Sequence, residues 1–259
     1  RNGSGIYHKK DRRSAKSGTK SKGVCLMVQC SLDRFEIVYN GASGASYGVF
    51  LPDYPEISQP EKRYETFSVP GRDGDLISDD NSIGNITVKC TFAVIDKLFQ
   101  KRIRDIKRWL RGTGKLSFSD SLETFYEVLI IDYNELEREL RKYGQFSVTF
   151  TCYPYEFLKS GQKTFSTISF NPYDLCKPIY KIVGEGNYTL TVNGKTITAN
   201  VGQNLTIDSR NMIAYREDGT LMNTAISGRY EDLWPPHGDT SISISGGQLS
   251  IIPQWGYKP

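Results

Sequence analysis

With 259 residues, 38% of them apolar and 24% charged, the chain is long enough for one large or two ordinary domains and too apolar to stay unfolded. No apolar run approaches the ~20 residues that cross a bilayer as a helix, and no apolar segment follows the basic N-terminus as a secretory signal requires. The net charge of +4 is a misleading average: residues 1–26 hold eight Lys/Arg against one Asp, so the remainder carries −3, which argues against a nucleic-acid-binding fold.

Residues 1–26 are Lys, Arg, Ser and Gly with little to bury, and a flexible basic leader is expected there. From Val24 to Leu51 the pattern is strand, Asn40-Gly41 turn, a Gly/Ala/Ser stretch, then a second strand at Tyr47–Leu51. Tyr64 to Val69 alternates as a half-buried strand does, and Pro70-Gly71 stops it, because Pro70 has no N–H to donate and Gly71 tolerates positive φ. Beyond it, Asp73, Asp75, Asp79 and Asp80 crowd around Arg72. Asn85 to Val94 alternates again, with Ile86, Val88, Cys90 and Phe92 facing one way.

A helix is predicted over Ile95–Arg111, where Ile95, Leu98, Phe99, Ile103, Ile106, Trp109 and Leu110 form one apolar stripe and Gly112 ends it. Its other face is basic (Lys97, Lys101, Arg102, Arg104, Lys107, Arg108, Arg111), interrupted by Asp96 and Asp105; a solvated face, or one meeting an acidic neighbour, is the reading. Strands are predicted at Lys115–Phe118 and Phe125–Ile131. The Glu137–Arg141 spacing allows a short helix over Asn134–Tyr143, and its place between strands equally allows an irregular crossover. Gln145–Tyr153 reads as the closing strand of a first domain spanning residues 27–158, and 159–177 as a polar linker.

From 178 to 259 the strands predicted are short and bounded by turns, with Asn193-Gly194 as a two-residue hairpin signal, and the spacing points to a β-sandwich. The fold class is therefore mainly β with one α-helix.

Chemistry-bearing motifs do not assemble. Gly112-Thr113-Gly114-Lys115 lacks the Ser/Thr of a phosphate loop, Gly184-Glu185-Gly186 lacks the third glycine of a dinucleotide site, and Asp73-x-Asp75 is followed by Ile77 where a calcium loop needs a ligand. Five cysteines with no C-x-x-C pair and two histidines make no zinc set; Cys90 and Cys152 sit in apolar strands as buried thiols. No cofactor, no metal and no catalytic residues are expected, and the chain is read as not an enzyme. Trp234 and Trp255 are aromatic enough to stack on a sugar, but a Trp in a two-sheet domain is more often a core or interface residue.

Val69-Pro70-Gly71-Arg72-Asp73-Gly74-Asp75-Leu76 resembles the signature of the distal tail (Dit) proteins of long-tailed phages that infect Gram-positive bacteria. Phe35–Gly41 with Tyr47-Gly48-Val49, Phe146–Tyr155, and Met222–Gly228 with Ile251–Trp255 resemble other blocks of that family, in the same order. The resemblance spans about residues 33 to 259 and excludes the leader. It implies an N-terminal β-sandwich or split-barrel domain that forms a ring, and a galectin-like C-terminal β-sandwich. It implies a homo-hexamer at the distal end of the virion tail, made in the host bacterial cytoplasm and docked on the tail tube protein. Further partners would be hub or tape-measure-linked proteins and receptor-binding or adhesion proteins, with viral DNA passing through the ring and no membrane partner. The signature loop of Val69, Pro70, Gly71, Arg72, Asp73, Gly74 and Asp75 is expected at a subunit interface. The alternative is a carbohydrate-binding module that meets host cell-wall polysaccharide through Trp234 and Trp255 of the C-terminal sandwich.

Overall fold

The computed structural model describes residues 35–96, 98–140 and 143–258, and of residues 80, 81 and 134–140 the backbone only. The basic leader, with Cys25 and Cys30, lies outside the described residues. The first half runs β1 (Ile37–Tyr39), β2 (Ala42–Ser43), β3 (Val49–Phe50), β4 (Glu56–Ile57), β5 (Lys62–Phe67), β6 (Leu76–Ile83), β7 (Ile86–Ile95), helix α1 (Phe99–Trp109), β8 (Gly114–Phe118), β9 (Ser121–Leu140) and β10 (Tyr143–Leu158). Strands β2-β1-β8-β9-β10-β7-β3 form one antiparallel sheet, with β4 added on β7.

The alternation seen in the sequence builds the core of this sheet. Phe92, Cys90, Val88 and Ile86 of β7 lie opposite Phe146, Val148, Phe150 and Cys152 of β10, and all eight are buried. Phe92 and Phe146 meet edge to face with ring centroids 5.4 Å apart. Helix α1 packs Phe99, Ile103 and Ile106 into the same cluster, together with Leu110 just past its end. It begins four residues later than predicted. Ile95 still belongs to β7, and the Asp96 carboxylate accepts from the Leu98 N–H at 2.8 Å while holding Arg102 Nε at 2.8 Å. That local bond turns the chain before the helix starts. The helix end is held by tyrosines: Tyr39 donates to the Gly112 carbonyl at 2.7 Å, and Tyr133 donates to that of Leu110.

Of Asn134–Tyr143, expected as a short helix or crossover, Asn134–Leu140 instead continue β9 and Tyr143 opens β10. β9 continues to Leu140, and the backbone pairs Leu136 with Phe146 and Leu140 with Tyr143. An i,i+4 ion pair contributes only about 0.3–0.5 kcal/mol, and a ladder extending a buried sheet outweighs it.

The second half adds β11 (Phe170–Asn171), β12 (Ile179–Val192), β13 (Lys195–Asp208), β14 (Ile213–Tyr215), β15 (Ile226–Ser227), β16 (Gly238–Asp239), β17 (Ile242–Ile244), β18 (Gln248–Ile252) and β19 (Gly256–Tyr257). Order β14-β13-β12-β17, with β15 on β13 and β18 on β12, makes a six-stranded sheet. Its axis is the predicted hairpin: Asn193 and Gly194 take φ of 47° and 82°, and Val192 pairs with Lys195. The flanking strands are 14 residues each rather than short. Gly184 and Gly186 lie inside β12, and the Tyr188 hydroxyl bonds the backbone N–H and carbonyl of Glu185 there. The fold is mainly β, with α1 the one α-helix among the described residues.

Segment 159–177 is not an exposed tether. Gly161, Ile168, Asn171, Leu175 and Cys176 are buried, and Phe165 bridges to Ile251. Asn171 donates to the carbonyls of Pro235 and Pro236 at 3.2 and 3.1 Å. The chain end then leaves the second sheet altogether: β19 pairs with Glu156 and Phe157 of β10, so the last residues close on the first sheet.

Candidate assembly interface

Among the described strands, β5 and β6 pair only with each other, so they stand off the main sheet as a two-stranded ribbon. Every residue from Glu61 to Asp79 is exposed. The half-buried strand expected at Tyr64–Val69 is therefore a strand without a buried face, because no layer packs on either side. Register sets the faces: Tyr64 opposite Asp79 and Thr66 opposite Ile77 share one, and Glu65 opposite Ser78 and Phe67 opposite Leu76 share the other. Large apolar side chains are left in water, with Ile77 69%, Tyr64 62%, Phe67 49% and Leu76 43% exposed.

The signature residues form the ribbon's tip. The Arg72 N–H bonds the Val69 carbonyl at 3.1 Å, and Gly71 has φ of 81°. With Pro70 before it, this is a type II turn, in which the third position needs positive φ. Gly74, at φ 77°, bends the chain into β6. Nothing lies within 4 Å of where a Cβ would stand on either glycine, so their role is backbone path and not close packing. Val69, Pro70, Gly71, Arg72, Asp73, Gly74 and Asp75 are thus brought together, at an exposed tip. The crowding of carboxylates around Arg72 is not a salt-bridge cluster, since Arg72 has no ion pair among the described residues.

The two Trp candidates for sugar stacking are placed otherwise. Trp255 is half-buried between Phe165 and Tyr173, with centroids 5.4 and 5.6 Å away, and packs on the second core. Trp234 donates from Nε1 to the Ser209 carbonyl at 3.1 Å, and the Lys177 ammonium sits 4.0 Å from the centre of its ring. The face a sugar would use is covered by a cation of the same chain. Burial holds the Lys177 pKa below its ordinary value, and the charges of Arg210 and Lys258 add to that effect.

Trp234 and Lys177 line a cleft of about 610 Å³ between the two sheets, with Tyr153, Tyr155 and Arg210. Arg210 is the joint there. Its Nη1 lies 2.9 Å from Glu127 Oε2, both side chains are largely buried, and its guanidinium stacks 5.2 Å from Tyr153 and 5.1 Å from Phe157. Nε and Nη1 nonetheless make no well-directed hydrogen bond, so the pair is close but misaligned. Sequence reasoning missed this contact; no local pattern links residues 83 positions apart. No three His, Cys, Asp or Glu side chains converge on a metal-sized site among the described residues.

Residues 44–152 match the family model of the phage tail protein RIFT-related domain. That span covers α1, the signature tip and most of the nine-stranded sheet. The crystal structure of the Dit protein of phage SPP1, described as a paradigm of the hub adsorption apparatus in phages infecting Gram-positive bacteria, superposes with a TM-score of 0.61 at 14% identity. The match covers 84% of this chain and 97% of that one. No curated protein matches the sequence. Residues 44–152 are thus similar to the phage tail protein RIFT-related domain, and the chain shares the fold of that distal tail protein.

Proposed function

We propose that the chain is a structural hub at the tip of a siphophage tail, assembled as a homo-hexameric ring. The ring joins the tail tube protein to hub or tape-measure-linked proteins and to receptor-binding proteins, and its channel passes the viral DNA. The observation that carries this reading is the ribbon of β5 and β6. A two-stranded ribbon in water is marginally stable at best, and this one exposes Tyr64, Phe67, Leu76 and Ile77 on its two faces. Such an element is made to be covered. A ring is a natural cover, because a heterologous contact that closes buries the same surface on every subunit and stops growth. The signature tip is then part of a subunit contact.

A chemical step is not part of this reading. The carbohydrate-binding alternative is disfavoured by Lys177 over the Trp234 ring and by the packing of Trp255. Light-scattering mass across a concentration series tests the ring. Six times the 29.3 kDa chain, or paired rings at twice that, is the expected result. A strictly monomeric species at high protein concentration and low salt would refute it.

A further inference from the structure

The ribbon needs a partner surface, and the same chain carries one that matches it. From Lys62 to Ile83 the ribbon holds five acidic residues against Lys62, Arg63 and Arg72, a net −2, and its outer part from Tyr64 to Asp79 holds four acids against Arg72 alone, interleaved with exposed apolar side chains. Helix α1 shows the inverse. Lys101, Arg104, Lys107, Arg108 and Arg111 are exposed on its outer face, and only Arg108 has a carboxylate within 4.0 Å among the described residues. Beside the start of that face, Ile95 and Leu98 are 64% and 65% exposed.

We propose that the ribbon of one copy docks on the N-terminal half of helix α1 of the next. Tyr64 and Ile77, which share a face, cover Ile95 and Leu98, and the carboxylates of Asp73 and Asp75 meet Lys101 and Arg104. The occupant is a second copy because both surfaces are exposed among the described residues and their charges are complementary. The ribbon leaves the sheet next to Ile86, at one end of β7, and Ile95 stands at the other, roughly 30 Å away at ~3.3 Å per residue. One surface at each end of a strand makes a head-to-tail contact, the heterologous type that ring closure requires. Charge complementarity sets the register and suppresses like-with-like pairing, since ribbon on ribbon or helix on helix repels.

This inference rests on the ring reading and deepens it, so the test separates the two. Sedimentation equilibrium of the full chain is measured for wild type, Asp73→Lys/Asp75→Lys, Lys101→Glu/Arg104→Glu, and all four changes together. All four positions are exposed, and unchanged melting curves verify that each variant folds. Each double variant should weaken association at least about ten-fold, and the quadruple variant should recover to within about three-fold of wild type, with wild-type association falling as salt rises. A wild-type ring indifferent to either pair, or a quadruple variant no better than the doubles, overturns the docking and leaves the ring standing. Loss from the helix pair alone assigns the basic face to another partner, and also overturns it. A monomeric wild type removes both readings.

Discussion

Among the contacts that join the two sheets, the Arg210–Glu127 pair is one whose loss can be worked out from geometry. Arg210→Ala removes a partner from a carboxylate that is only 20% exposed. Breaking a fully buried pair costs about 3–5 kcal/mol. Here the guanidinium is 2.9 Å away but poorly directed and the pair is not fully buried, so the electrostatic part falls below that range, at about 2 kcal/mol. Stacking on Tyr153 and Phe157 adds about 0.5 kcal/mol each, for a total of about 3 kcal/mol. With a urea m-value of about 3 kcal/mol/M, the midpoint should fall by about 1 M. The assay is a double-mutant cycle with Glu127→Gln, followed by far-UV circular dichroism and by Trp fluorescence. The cycle should return a coupling of about 2 kcal/mol, with the two probes coincident in each variant as the two-state treatment requires. A coupling below about 0.5 kcal/mol would refute the pair as a joint and leave the cohesion to β19 and the buried connecting segment.

Two further outcomes follow from buried groups. Burial pushes the thiols of Cys90, Cys152 and Cys176 from 9.0 up to about 12, with the charge of Cys152 also raising Cys90. Between those values the native state keeps protons that the unfolded chain releases, so this stability is complete below about pH 9 and is lost as pH rises toward 12, by up to about 1.4 kcal/mol per pH unit per thiol. Urea titrations from pH 7.5 to 10.5 should show the decline beginning near pH 9, and mass-spectrometric footprinting at pH 8 should find these three cysteines unmodified; modification of folded protein would contradict their burial. Trp255→Ala, which empties the space between Phe165 and Tyr173, should cost about 2–4 kcal/mol, less than the 3–5 of a fully buried Trp, as read by thermal melting. Retained stability with lost binding to cell-wall polysaccharide would instead make that ring a glycan platform.

How far the fold was legible depended on the range of the forces. The ladder of Ile86, Val88, Cys90 and Phe92 and the hairpin at Asn193-Gly194 are local patterns, and both stand as read. The helix stripe was also legible, but its start was not, because Asp96 bonds the backbone ahead of an apolar residue that still belongs to a strand. The Glu137–Arg141 spacing misled because a local preference of a few tenths of a kcal/mol yields to a long ladder. The return of Gly256–Tyr257 to β10 and the Arg210–Glu127 contact are set by tertiary packing alone, and no spacing announces them.

The signature tip shows the same division inside one element. Its turn is dictated locally, since Pro70 presets φ and Gly71 takes the positive φ of a type II turn. The alternation of Tyr64 to Val69 was equally visible, and it correctly marks a strand. Alternation, however, records that a strand is meant to have an inside, not which molecule supplies it. In the isolated chain both faces of the ribbon meet water. Exposed apolar area is disfavoured by roughly 25 cal/mol per Å², so Tyr64 and Ile77 left uncovered are a standing cost that only a partner relieves. A strand pattern with no buried face in its own fold is what the proposed ring contact would cover. On that proposal the acids beside it and the bases on α1 add what apolar contact lacks, which is direction: they would distinguish head-to-tail from like-on-like, and a ring needs that distinction.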